Sequence, residues 1–220
     1  NYEFVEIDAF KLFKKKILSK KIIINKINLN WFIKIKRSNK SWKEIHKKGG
    51  GIMFNYVCHA VFYLEFIFGK IRSTNSNIYL NIKKNINFLS STILFKSGLS
   101  AKIKISINSN NKAIHELKAE TDKFVYVLKS KVNSLSDQFI IEKINKPLKK
   151  KAVNKKTLFK NKYNKTDFRI NPTFNNSKKF SNSILKKKLK KPNFFNAQRV
   201  HLIIEQMVNS SNEKKEMFIN

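Results

Sequence analysis

The chain has 220 residues, 41% of them hydrophobic, which is enough to build a domain core and excludes a chain disordered throughout. Lys and Arg number 47 against 14 Asp and Glu, a formal net charge of +33. That charge alone would favour a nucleic-acid-binding protein. However, the excess is nearly all lysine and comes with abundant Asn, Ile and Phe, the residues of A- and T-rich codons, while the arginine that reads phosphates or bases is scarce. The composition is therefore read as coding bias, and neither nucleic acid nor membrane is expected as a partner. A single cysteine, Cys58, excludes an intrachain disulfide framework and a cysteine-rich zinc site; no metal is expected, and a reducing, cytoplasmic compartment fits.

Asn1 to Lys20 sets Phe10, Phe13 and Ile17 at helical spacing between lysines, predicting an amphipathic helix. Ile22 to Ile35 reads as a strand, with Ile27, Leu29, Trp31, Ile33 and Ile35 alternating with polar or exposed positions. Lys36 to Lys48 is a polar loop. Its Trp42 either anchors the loop by packing, the commoner use of an aromatic, or stacks on a sugar ring as a substrate-binding residue.

Gly49 to Lys70 is the stretch most specified for chemistry. Gly49, Gly50 and Gly51 lead into Ile52 to Phe68, which lacks proline and is nearly all apolar, the pattern of a buried helix. Glycines at such an entrance let a backbone, a ligand or a cofactor ring approach closely, and the free N–H groups there favour polar or anionic partners. Met53, Val57, Ala60, Leu64 and Ile67 form one apolar stripe; Asn55, His59, Phe62 and Phe66 form a second, with Asn55 and His59 one turn apart. His59 is either a hydrogen-bonded core residue or a proton-transfer group. A membrane helix is disfavoured by the short span and by Asn55, His59 and Glu65.

Beyond this helix the period changes to two. Ile78, Leu80 and Ile82 suggest a strand, Thr92 to Phe95 another, and Leu99 to Ile107 a third after the turn residues Lys96, Ser97 and Gly98. Ala113 to Ala119 pairs with Phe124 to Leu128 across Thr121 and Asp122. The sum is α+β: an antiparallel or mixed open sheet with helices packed on one face. Residues 142–191 read as a lysine-dense, loop-rich surface segment rather than a basic arm. Asn196 to Asn209 is helical, with Val200, Ile203, Ile204, Met207 and Val208 on one side and Asn196 as N-cap.

The central stretch resembles the glycine-rich helix motif of the Gfo/Idh/MocA family of NAD(P)-dependent oxidoreductases, G-G-G-x-L-x-D-x-G-x-H-x-x-D-x-L. Gly49, Gly50 and Gly51 match its glycines, Met53 stands for the leucine, His59 matches the histidine and Leu64 continues the helix. Asn55 and Phe62 replace the two aspartates and Val57 replaces the later glycine. Ser19 to Ile23 takes the place of the family's S-G-x-I-G link without its glycines, and Pro192, Phe194, Arg199, Ser210 and Ser211 resemble its P-x-F…R…S-S ending. The resemblance implies a single substrate-side domain over 1–220, with His59 as acid/base residue and Asn55 holding a substrate hydroxyl. It further implies NAD or NADP as cofactor, a sugar, sugar derivative or polyol as substrate, and a homo-oligomer formed through the sheet. No G-x-G-x-x-G follows a strand, and Lys146–Pro147 comes too late to be the family's E-K-P. The nucleotide-binding half is therefore expected outside this chain.

Overall fold

The alternation that predicts strands is what builds the sheet. In β1 (Lys26–Ile33), Ile27, Leu29, Trp31 and Ile33 are buried while the residues between them are not. The structure is a computed structural model that describes residues 2–19, 22–34, 49–80, 86–107, 113–130, 139–146, 155–160 and 170–219. Trp42, Ile35, Ile82 and the link residues Lys20 and Lys21 lie outside them.

The remaining strands are β2 (Ile71–Leu80), β3 (Ile86–Phe95), β4 (Ser100–Ile107), β5 (Ile114–Glu120), β6 (Phe124–Lys129), β7 (Ile140–Asn145), β8 (Lys155–Lys160) and β9 (Met217–Phe218). Among the described residues they form one open nine-stranded sheet, ordered β8-β7-β6-β5-β1-β4-β3-β2-β9. β1 runs parallel to β4 and the other neighbours are antiparallel, so the sheet is mixed. Register aligns the inward residues in rows across the strands: His115–Trp31–Ile105–Leu89–Ile78, and Leu117–Leu29–Ile103–Ser91–Ser76. The outward rows are polar, for example Glu116–Asn30–Lys104–Ser90.

Helices cover the apolar face, as expected for α+β. A 3₁₀ turn (Glu3–Glu6) leads into α1 (Asp8–Ile17), which buries Phe10, Phe13 and Ile17. The glycine-entered helix begins at Gly51, widens into a π-helical turn over Met53–Val57 and continues as α2 (Cys58–Phe68). Its first stripe, Met53, Val57, Ala60, Leu64 and Ile67, is at most 1% exposed. Gly69 closes α2 with φ +97°, a conformation that favours glycine.

Two segments differ in detail from what their sequence suggests. Ile78 and Leu80 do lie in a strand, β2, but Leu80 is 57% exposed and the residues buried there are Ile71, Ser73, Thr74 and Ser76. Those hydroxyls satisfy one another: Thr74, Ser76 and Ser91 are mutually hydrogen-bonded at 2.8–2.9 Å. A polar strand face can therefore sit inside the core at little cost. The segment 142–191, expected as loop, contains the end of β7, all of β8 and helix α3 (Ile170–Leu185). Helix α3 buries only Pro172, so its period is faint. Lys179 binds the buried Glu6 carboxylate, which Lys11 also holds at 2.9 Å. Burial pushes the Glu6 carboxyl up, but these two lysines outweigh it and keep the group below the usual carboxylate range.

Helix α4 (Phe194–Glu213) starts two residues before the expected N-cap, Asn196. Asn193 is the cap, and Asn196 answers it in a reciprocal capping box. At its far end the Ser210 and Ser211 hydroxyls accept the backbone N–H groups of Ser76 and Ile78, both at 2.9 Å, tying α4 to β2. Among the described residues no helix is long and apolar enough to cross a membrane.

Candidate active site

The second stripe of the central helix faces the N-terminal segment. Phe62 stacks on Tyr2 with centroids 4.1 Å apart, and the Lys14 ammonium lies 3.8 Å from the centre of Phe66. His59, three residues before Phe62, is walled by Tyr2 and Phe4 edge-on at 6.0 and 5.5 Å. Its side chain keeps 18% of its surface, so it is neither sealed inside nor freely exposed. Nδ1 is shut away from solvent without a hydrogen-bond partner among the described residues, which leaves the exposed surface elsewhere on the side chain. Glu3 Oε2 lies 4.0 Å from Nδ1. Burial depresses the imidazole pKa and Glu3 opposes that, leaving it below its ordinary value and the ring neutral near pH 7.

The turn before His59 is the π-helical one. There the amide nitrogen of Asn55 donates to Gly51 O at 3.0 Å and the Cys58 thiol donates to Phe54 O at 2.8 Å, each four residues back. Single π turns inside α-helices recur at functional sites. Burial pushes the Cys58 thiol up to about 12, so it is no nucleophile. Of the three glycines, Gly50 and Gly51 are buried, and Gly49 and Gly51 carry φ of +76° and +78°. A Cβ on Gly49 would meet nothing within 4 Å, so backbone conformation rather than close packing within the chain accounts for glycine there.

Behind His59 lies a fully buried polar pair. His115 of β5 stacks flat on its cross-strand partner Trp31, 4.0 Å between centroids and 6° between planes, and its Nε2 is 3.0 Å from the Tyr63 hydroxyl. Burial holds the Tyr63 phenol protonated and, with the nearby His59, pushes His115 down to about 3. With the phenol donating to Nε2, the neutral ring carries its own proton on Nδ1, which is buried without a partner among the described residues. On the far side of the helix, Glu65 accepts the Ile71 N–H at 2.8 Å. It also accepts from Arg199 Nε at 2.9 and 3.2 Å, while Arg199 Nη2 donates to Ile71 O. That fork locks α2, α4 and β2 together.

No family model matches the sequence, and no curated protein matches it. The structure, however, resembles solved ones along its whole length. Levoglucosan dehydrogenase in complex with NADH superposes with TM-score 0.78, covering 100% of this chain and 65% of that one at 13% identity. A putative NADPH-dependent oxidoreductase from Desulfitobacterium hafniense gives 0.78, 100% and 64% at 14% identity. A putative oxidoreductase from Bacillus subtilis gives 0.73, 100% and 65% at 14%.

The shared property is the fold. The chain spans about 65% of the length of levoglucosan dehydrogenase.

Sequence reasoning placed His59 and Asn55 on one face of one helix; the structure has both on the glycine-entered helix, with Asn55 inside the π-helical turn that precedes His59. It missed Glu3, Tyr2, Tyr63 and His115. The one signal for His115 is a polar residue at an inward position of an alternating strand. Glu3 gives no signal, because its neighbour His59 is 56 residues away in the chain. Among the described residues no group of three or more His, Cys, Asp or Glu side chains could hold a metal ion.

Proposed function

We propose that this chain is the substrate-side domain of an NAD(P)-dependent oxidoreductase of the Gfo/Idh/MocA type, acting on a sugar, sugar derivative or polyol. One observation carries the reading: a fold shared over the whole chain with NADH-binding levoglucosan dehydrogenase, with a half-buried, neutral histidine on the glycine-entered helix. Solved complexes of that dehydrogenase also contain levoglucosan and L-sorbose, which supports a sugar-like substrate here.

This chain contains no strand–G-x-G-x-x-G–helix unit to cradle a dinucleotide, so the cofactor, NAD or NADP, would be held by a domain outside it. When bound, a nicotinamide supplies the hydride acceptor. His59, uncharged at neutral pH, takes the proton of the substrate hydroxyl and returns it in the reverse direction; a base must be unprotonated to do this, and burial keeps it so. Asn55, four residues earlier, would hold a neighbouring hydroxyl, and Trp42, which lies outside the described residues, would stack on the substrate ring. The homo-oligomer would use the polar outward face of the sheet.

The test is oxidation of a panel of sugars and polyols by the complete gene product, followed as NAD(P)H absorbance. Turnover of at least one substrate is expected. No reduction of either nucleotide with any of them, together with no nucleotide binding, overturns the reading.

A further inference from the structure

The charged partner of His59 comes from a different part of the chain. Asn55, the polar neighbour on its own helix, is uncharged and bonded to Gly51 O. Glu3, on the 3₁₀ turn, brings Oε2 to 4.0 Å from His59 Nδ1. That distance is too long for a hydrogen bond, so the carboxylate acts on the ring through its field. Both atoms are buried, and neither has a hydrogen-bond partner among the described residues. A buried acceptor and a buried ring nitrogen facing each other unpaired is a costly arrangement unless a small rotation or one bridging water joins them. Phe4 and Tyr2 close the space around the ring, so the carboxylate acts through little intervening solvent.

We propose that Glu3 is the positioning residue of His59: its carboxylate fixes the imidazole as the Nδ1–H tautomer, leaving Nε2 bare to accept the proton. This rests on the reading of His59 as acid/base residue for its catalytic meaning, though not for its test. The other titratable groups facing His59 do not compete among the described residues. Tyr2 and the Cys58 thiol are held protonated by burial, both near 12, Tyr63 likewise stays protonated, and His115 stays neutral down to about 3. The carboxyl of Glu3 lies 4.0 Å from Nδ1.

The experiment is NMR of the full chain with nitrogen-labelled histidine. In the wild type at pH 8, the His59 ring is expected as the Nδ1–H tautomer; an Nε2–H ring overturns the proposal without any variant. Glu3→Gln keeps shape and removes charge, and is expected to move the His59 titration to lower pH. Glu3→Asp, which keeps the charge, is expected to stay nearer the wild type. An unchanged His59 titration in Glu3→Gln, or equal titrations in the Gln and Asp variants, overturns it. In the complete gene product, Glu3→Gln is expected to lower kcat roughly tenfold with KM unchanged and to move the acidic limb of the rate profile to lower pH. Should the NMR shifts appear while no substrate is turned over, the oxidoreductase reading fails and the Glu3–His59 pairing stands.

Discussion

His115 makes the stability of this fold depend on pH in a window where little else titrates. An unfolded histidine has a pKa of about 6.5, whereas His115, buried against Trp31 and bonded to Tyr63, is pushed down to about 3. Above the unfolded value the ring is neutral in both states and contributes nothing. Below it the unfolded chain binds a proton that the native chain refuses, so stability is lost as the pH falls from 6.5 towards 3. Each pH unit in that interval costs about 1.4 kcal/mol, which makes about 2 kcal/mol at pH 5 and on the order of 5 kcal/mol at the folded pKa. The carboxylates Glu6 and Glu142, held low by lysines, lose their contribution only below about 4.5, so pH 7.5 to 5 isolates the histidines. The assay is urea unfolding at pH 7.5 and pH 5 for the wild type and for His115→Gln, which keeps an acceptor for Tyr63. His59 is common to both proteins and cancels. The wild type should lose about 2 kcal/mol more than the variant between the two pH values. Equal losses would mean that the native imidazole protonates freely, and the buried-pair account would be refuted.

Two further outcomes follow from particular contacts. Arg199→Ala removes both of its bonds to Glu65 and the one to Ile71 O, leaving a half-buried carboxylate with the Ile71 N–H alone. Urea unfolding should show a loss of roughly 2–3 kcal/mol, and a loss under about 0.5 kcal/mol would class the fork with inert surface pairs. The Cys58 thiol, 8% exposed and raised to about 12, should resist a disulfide reagent at pH 8 in the native chain and react fully after unfolding; rapid reaction of the folded protein would contradict its burial.

The elements that declared themselves in the sequence are those whose stability comes from one apolar face. The stripe of α2, the alternation of β1 and β4 and the pairing of β5 with β6 all report burial through hydrophobic period. Where burial is polar or contact is distant, the period is silent. β2 turns hydroxyls inward because Ser91 answers them, and Leu80, apparently a core residue, faces outward. Helix α3 is held by an ion pair to Glu6 rather than by a buried stripe. The candidate site divides in the same way. His59 and Asn55 share a helix, so their spacing relates them. Glu3 meets His59, and Trp31 meets His115, only because the chain returns to the same place after dozens of residues.

The central claim is that His59 moves the substrate proton, and its most direct test is the rate of nucleotide reduction by the complete gene product carrying His59→Ala beside the wild type. Loss of an acid/base residue predicts a fall of roughly 10²–10⁴-fold in kcat with the fold intact. An unchanged rate would contradict the account and leave His59 a packing residue of the second stripe.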